Sequence, residues 1–141
     1  MNLVQAQTVI THALKAAREK ALKPLAVVVL DARGAVKAAR VEDGTSLKRF
    51  EVAHGKAHGA LAMGMGSRAL GVRAEQQPSF IAAVTHIVGG ALVPVAGGVL
   101  IRDAAGVLLG AVGVSGDSSD NDETVAVAGI AAAGLTAETG A

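Results

Sequence analysis

LAVVVLDARGAVKAARV, residues 25–41, decides the fold class. An unbroken apolar run leads into Asp31-Ala32-Arg33-Gly34, and a second run of strand-forming residues follows. Asp opens a turn through its side-chain oxygen, and Gly supplies the positive φ that closes a short hairpin. The stretch therefore reads as two strands folded back on each other. The same arrangement returns in GGVLIRDAAGVLLGAVGV, residues 97–114, with Asp103-Ala104-Ala105-Gly106 between two apolar runs. This is an echo of supersecondary structure, too short to count as an internal repeat. Two hairpins without strand–helix–strand crossovers imply an antiparallel sheet.

The segments around the hairpins read as helices. Residues 2–21 carry an apolar stripe of Leu3, Val4, Ala6, Val9, Ile10, Ala13, Leu14 and Ala17, and Pro24 ends the segment. Residues 47–65 place Leu47, Phe50, Ala53, Ala57, Leu61 and Met65 at helical spacing. Gly55 and Gly59 inside that helix weaken it by about 1 kcal/mol each relative to Ala. An interior helical glycine often marks the close approach of a backbone or a ligand. Near the end, Ser119 or Asp120 is placed to cap a helix, with Asp122 or Glu123 completing a capping box. The helix that follows, TVAVAGIAAAGL, is apolar almost all round, which argues for cover on more than one side and for a subunit interface. The expected order is α-β-β-α, a short irregular helical segment, then β-β-α. That is an α+β domain filling residues 1–141, with helices packed on a central antiparallel sheet.

Composition narrows the function. The chain has 141 residues, 51% of them apolar, which suits one globular domain. Its net charge of +1 gives no electrostatic footprint for nucleic acid. It has no cysteine, so disulfides, thiolate metal sites and cysteine nucleophiles are excluded. The start reads as a mature cytoplasmic one, without a secretory leader. Residues 80–101 lack Asp, Glu, Lys and Arg, but Thr85, His86, Gly89-Gly90, Pro94 and Gly97-Gly98 argue against a membrane span.

The polar candidates are few. FEVAHGKAHGA, residues 50–60, sets His54 and His58 on one helix face, four residues apart. That spacing suits metal ligands, but the pair lacks the Glu of HExxH, so by spacing alone two hydrogen-bonded or solvated imidazoles are the ordinary reading. Lys56 points to a different face from either imidazole. His86, among apolar residues, reads as buried and neutral, and His12 as a core-edge histidine. GMGSRA, residues 64–69, follows a helix rather than a strand, so it is no dinucleotide fingerprint. Gly110 to Gly116 reads as a place where backbones approach closely. Asp117 to Glu123 lacks the central Gly of a calcium loop, and Ser115 has no nucleophile-elbow context.

Several stretches together resemble the GlcG/HbpS family, the DUF336 domain also found at the C-terminus of PduO-type proteins. They are VVVLDARGAVKAARVEDG, GKAHGALAMGMGSRALG, and residues 89–134. The most specific pieces are Lys56-Ala57, Ser67-Arg68, Gly97-Gly98, and Gly110 to Gly116 followed by Asp122-Glu123. The resemblance implies a profilin-like or roadblock-like sandwich, a homo-oligomer, and for several members a link to haem or corrinoids. Members often carry Pro before the Ser-Arg pair and an aromatic shortly after Lys-Ala; here Gly66 and His58 stand there.

Three readings follow. In the first, the protein binds haem or a related tetrapyrrole. With no Cys or Tyr, its axial ligand would be His, Met or an unusual oxygen donor, which puts His54, His58 and His86 first with Met63 and Met65 behind, and Arg49, Lys56 or Arg68 would meet the propionates. In the second, it is a cofactor-free catabolic lyase, isomerase or hydrolase acting on a small carboxylic acid, in which His54 or His58 is the general base and Lys56 or Arg68 holds the substrate carboxylate. In the third, it is a structural oligomer with no ligand. Gly97, Gly98 and Ser115 complete the set of candidate ligand-binding positions.

Overall fold

The computed structural model describes residues 1–141. The first hairpin forms β1 (Ala26–Asp31) and β2 (Val36–Val41), and the second forms β3 (Gly98–Arg102) and β4 (Leu108–Ser115). Their tips are built alike. Asp31 Oδ1 accepts from the amides of Arg33 at 2.9 Å and Ala35 at 3.1 Å. Asp103 Oδ1 accepts from the amides of Ala105 and Val107, both at 2.9 Å. Gly34 and Gly106 close the turns at φ of 87° and 83°. These positive angles are why glycine stands at both positions.

The hairpins join through β1 and β4, giving the fully antiparallel order β2-β1-β4-β3-β5. The last strand, β5 (Thr136–Glu138), adds to the edge at β3. Nothing in its three residues announces a strand, and it forms because Leu100–Arg102 offer an unpaired edge.

Each central strand alternates between two cores. Val27, Val29, Val99, Ile101, Val112 and Val114 face the larger core under α1 (Leu3–Glu19) and α5 (Ser119–Ala132). Ala26, Val28, Leu30, Leu100 and Ala111 face α2 (Arg49–Met63) through its Ala53, Ala57 and Ala60. The second core is lined by small residues, so α2 lies close to the sheet. A Cβ on Gly113 would overlap the Ala53 carbonyl oxygen, and one on Gly110 would overlap that of Leu30. These glycines therefore serve backbone approach within the chain. Gly55 and Gly59 do the same for the returning loop: a Cβ at Gly55 would fall 2.6 Å from Val93, and one at Gly59 2.9 Å from Leu92.

Several expectations are corrected. The irregular segment is two helices, α3 (Ser67–Gln76) and α4 (Pro78–Ile87), divided where Pro78 takes the first helical position. The cap of α5 is Ser118, whose hydroxyl accepts from the Asn121 amide at 3.1 Å, and Asp122 belongs to no capping box. The apolar face of α5 is covered by α1 and the sheet, since Val125, Ala126 and Ile130 share the core with Val9, Ile10 and Val114. It therefore gives no argument for a subunit interface. Leu3 and Val4, placed on the buried stripe of α1, are exposed. No helix is long and apolar enough to cross a membrane.

Candidate functional site

The sequence candidates separate into two constellations on different sides of α2. The first is a buried polar knot. Lys56 leaves α2 toward the sheet and is only 2% exposed. Its Nζ donates to the Val114 carbonyl at 2.9 Å and to Asp122 Oδ2 at 3.1 Å. Asp122, 1% exposed, accepts the Asp117 amide on its other oxygen. Burial pulls the Lys56 ammonium below its ordinary range, opposed by Asp122. Burial likewise pushes the Asp122 carboxyl up, opposed by Lys56.

Around this pair, Ser67 Oγ accepts from the Gly98 amide at 2.7 Å and donates to the Gly98 carbonyl at 3.2 Å. Gly97 lies so close that a Cβ there would fall 2.8 Å from Lys56 Nζ, and one on Gly98 would overlap the Lys56 carbonyl. Arg68 pairs with Glu123 at 3.1 Å and with Asp120, and these carboxylates hold its guanidinium firmly protonated. Lys56, Ser67, Arg68, Gly97 and Gly98 thus fasten α2, α3, β3, β4 and α5 to one another. Lys56 and Arg68, expected to meet a ligand, are instead engaged by Asp122, Glu123 and Asp120. Ser115, also buried, is reached only by Arg49 Nη1 at 3.4 Å.

The second constellation lies on the outer side of α2. A cleft of about 380 Å³ opens there between α2 and the edge strand β2. Val36, Phe50, Glu51, His54, Gly90 and Ala91 line it. His54 and His58 stack with ring centroids 5.5 Å apart and planes 19° from parallel, and Phe50 continues the row 6.1 Å from His54. His58 Nδ1 lies 2.9 Å from the Ala91 carbonyl, which fixes the proton on Nδ1 and leaves Nε2 free. Its ring borders a smaller depression of about 140 Å³ lined by Ala32, Arg33, Gly34, Leu61 and Ala62. His54, half-buried, makes no hydrogen bond within the protein. Burial, with the nearby His58 charge adding to it, pushes its pKa down, so the imidazole stands neutral at neutral pH.

The other candidates lie elsewhere. His86, expected to be buried, is exposed on α4. His12 turns back to the Thr8 carbonyl at 2.9 Å on α1. Met63 and Met65 pack against Leu70, Ile81 and Leu92. No group of three His, Cys, Asp or Glu side chains is arranged to hold a metal ion. Sequence reasoning missed Val36, Gly90 and Ala91 as walls of the cleft, because only the fold brings the hairpin and the loop to α2.

An antiparallel sheet between α1 and α5 on one face and α2 on the other, tied by a buried Lys–Asp pair and carrying a histidine cleft at its edge, defines the α+β class of this domain. Within that class the chain belongs to the HbpS-like family, described as "Haem degrading protein HbpS-like", which matches residues 1–131. It is similar to the structure "Crystal Structure of PduOC:Heme Complex", with 25% identity, a TM-score of 0.85 and 96% of each chain covered. It is also similar to "Crystal Structure of HbpS", with 28% identity and a TM-score of 0.79, covering 93% of this chain and 88% of that one. A DUF336 protein of Klebsiella pneumoniae, ORFY, shares the fold at 21% identity and a TM-score of 0.84, covering 95% and 90%. No curated protein matches the sequence.

Proposed function

We propose that the protein binds haem or a related tetrapyrrole at the cleft between α2 and β2, with His54 as the ligand to the metal. The observation that carries this reading is the state of His54: neutral, half-buried, unpartnered within the protein, and set between Phe50 and the cleft walls Val36 and Ala91. A neutral imidazole with a free nitrogen beside an apolar wall is the donor a tetrapyrrole iron takes. His58 orders the neighbouring ring, and its stacked arrangement leaves one imidazole per iron. Arg33 lines the adjoining depression, and its pair with Asp31 is an exposed one at the hairpin tip, so it is the cation that can turn to a propionate. When bound, haem would supply a redox-active iron that the chain itself lacks. Two similar structures, one a haem complex and one HbpS, support this choice of ligand.

The enzymatic reading needed Lys56 or Arg68 near the histidines, and both are engaged in the buried knot. The geometry therefore favours binding. Self-association is part of the proposal, because α4 leaves Phe80 and Ile87 41% and 79% exposed on an uncharged helix. Light scattering after size exclusion reads it directly, and a monomeric mass overturns that part. The test of the site is an absorbance titration with ferric haem. His54→Ala should lose the saturable Soret shift while His58→Ala keeps a weakened one. An unchanged titration in His54→Ala refutes the assignment.

A further inference from the structure

Arg49 is half-buried at the start of α2, and its guanidinium faces neither a carboxylate nor an aromatic ring. Its Nε donates to Ser46 Oγ at 3.1 Å, and its Nη1 reaches Ser115 Oγ at 3.4 Å. Five other arginines are answered: Arg18 by Glu42, Arg33 by Asp31, Arg68 by Asp120 and Glu123, Arg102 by Glu138, and Arg73 by the Phe80 ring; Arg40, bonded to the Thr11 hydroxyl, is exposed to water, where Arg49 is half-buried. Arg49 instead lines a pocket of about 210 Å³ with Lys23, Pro24, Gly44, Ser46 and Gly116. No carboxylate oxygen lies within 4.0 Å of the Lys23 ammonium or of Arg49. Asp117, the acid beside the pocket, is consumed by hydrogen bonds from Asn121 Nδ2 and the amides of Lys23 and Ser118, which hold its pKa down at about 2. Beneath Arg49, the Ser115 hydroxyl is fully buried and its proton has no acceptor in the protein.

A half-buried guanidinium is normally paired, because its five donors are costly to leave unmet. Two cations lining one small polar pocket, whose neighbouring acid Asp117 interacts with Lys23 but is itself taken up by three hydrogen bonds, present the complement of an oxyanion. We propose that this pocket is a second binding site, separate from the histidine cleft, that takes the carboxylate or phosphate group of a small molecule. The two sites share no lining residue. The pocket therefore stands whether or not haem binds at His54.

The test is a two-dimensional amide and Arg Nε NMR titration with sodium phosphate in one arm and sodium acetate in the other, at constant ionic strength. Saturable shifts centred on Gly44, Ser46, Gly116 and Arg49 Nε are expected. The arm that saturates at lower concentration identifies the phosphate or the carboxylate source. Arg49→Gln and Lys23→Gln should each weaken binding about tenfold, while Arg102→Gln, whose pair with Glu138 lies at the far edge of the sheet, should leave it unchanged. Lys23 is exposed, so its variant folds even if Arg49→Gln does not. Shifts that never saturate in either arm, or saturable shifts indifferent to Lys23→Gln, overturn the proposal.

Discussion

Replacing Lys56 with methionine strips the positive charge from a buried pair and leaves Asp122 uncompensated. The pair sits 3.1 Å apart with exposures of 2% and 1%. At an effective dielectric of about 20, that separation corresponds to about 5 kcal/mol of attraction. Desolvation of both groups offsets most of that gain, so the intact pair is close to neutral for stability. Breaking it is costly: Lys56→Met or Asp122→Leu alone should lose about 3–5 kcal/mol. The double variant removes both charges and leaves only the Val114 carbonyl and the Asp117 amide short of partners. It should lose about 2–4 kcal/mol, well below the sum of the single losses. Urea unfolding followed by circular dichroism at neutral pH measures each value. Single losses below about 1 kcal/mol, or a double loss equal to the sum, would refute the description of the knot as a coupled buried pair.

Two further outcomes follow from particular contacts. Gly113→Ala sets a methyl against the Ala53 carbonyl. It should destabilise by at least about 2 kcal/mol in the same assay, because the clash is with backbone and α2 must move off the sheet. His54 has a folded-state pKa below its unfolded value, so the unfolded chain takes up the proton first. Its contribution is intact above the unfolded pKa near 6.5 and is lost as pH falls below it. The melting temperature should decline on acidification from pH 7 through about pH 5.5, and His54→Ala should flatten that decline. An identical slope in the variant would remove His54 as the cause.

The hairpins were legible because Asp-x-x-Gly is a local instruction, written twice and obeyed twice at Asp31 and Asp103. The helices α1, α2 and α5 were legible from their spacing. Less was legible where the outcome rests on distant partners. The cap of α5 lies one residue early, since Ser118, Ser119 and Asp120 are all capping types and only the turn geometry chooses among them. The strand β5 exists because the edge of β3 is free. Lys56 announced a charge but not its partner, because Asp122 is 66 positions away in sequence. Lys56 lies on a face away from the imidazoles, as the spacing implies, and there its ammonium is engaged by Asp122 and the Val114 carbonyl. The reverse holds for the histidine cleft. Its centre, His54, was visible in the sequence, but its walls come from the β2 edge and from Gly90-Ala91, which approach α2 because Gly55 and Gly59 leave room for Val93 and Leu92.

The most direct measurement is an amide NMR spectrum of the protein with substoichiometric ferric haem, whose unpaired electrons broaden nearby signals. The account predicts broadening centred on Val36, His54, Gly90 and Ala91, with Gly44 and Gly116 left sharp. Broadening centred on His12 in α1 or His86 in α4, with the α2–β2 cleft unaffected, would contradict it.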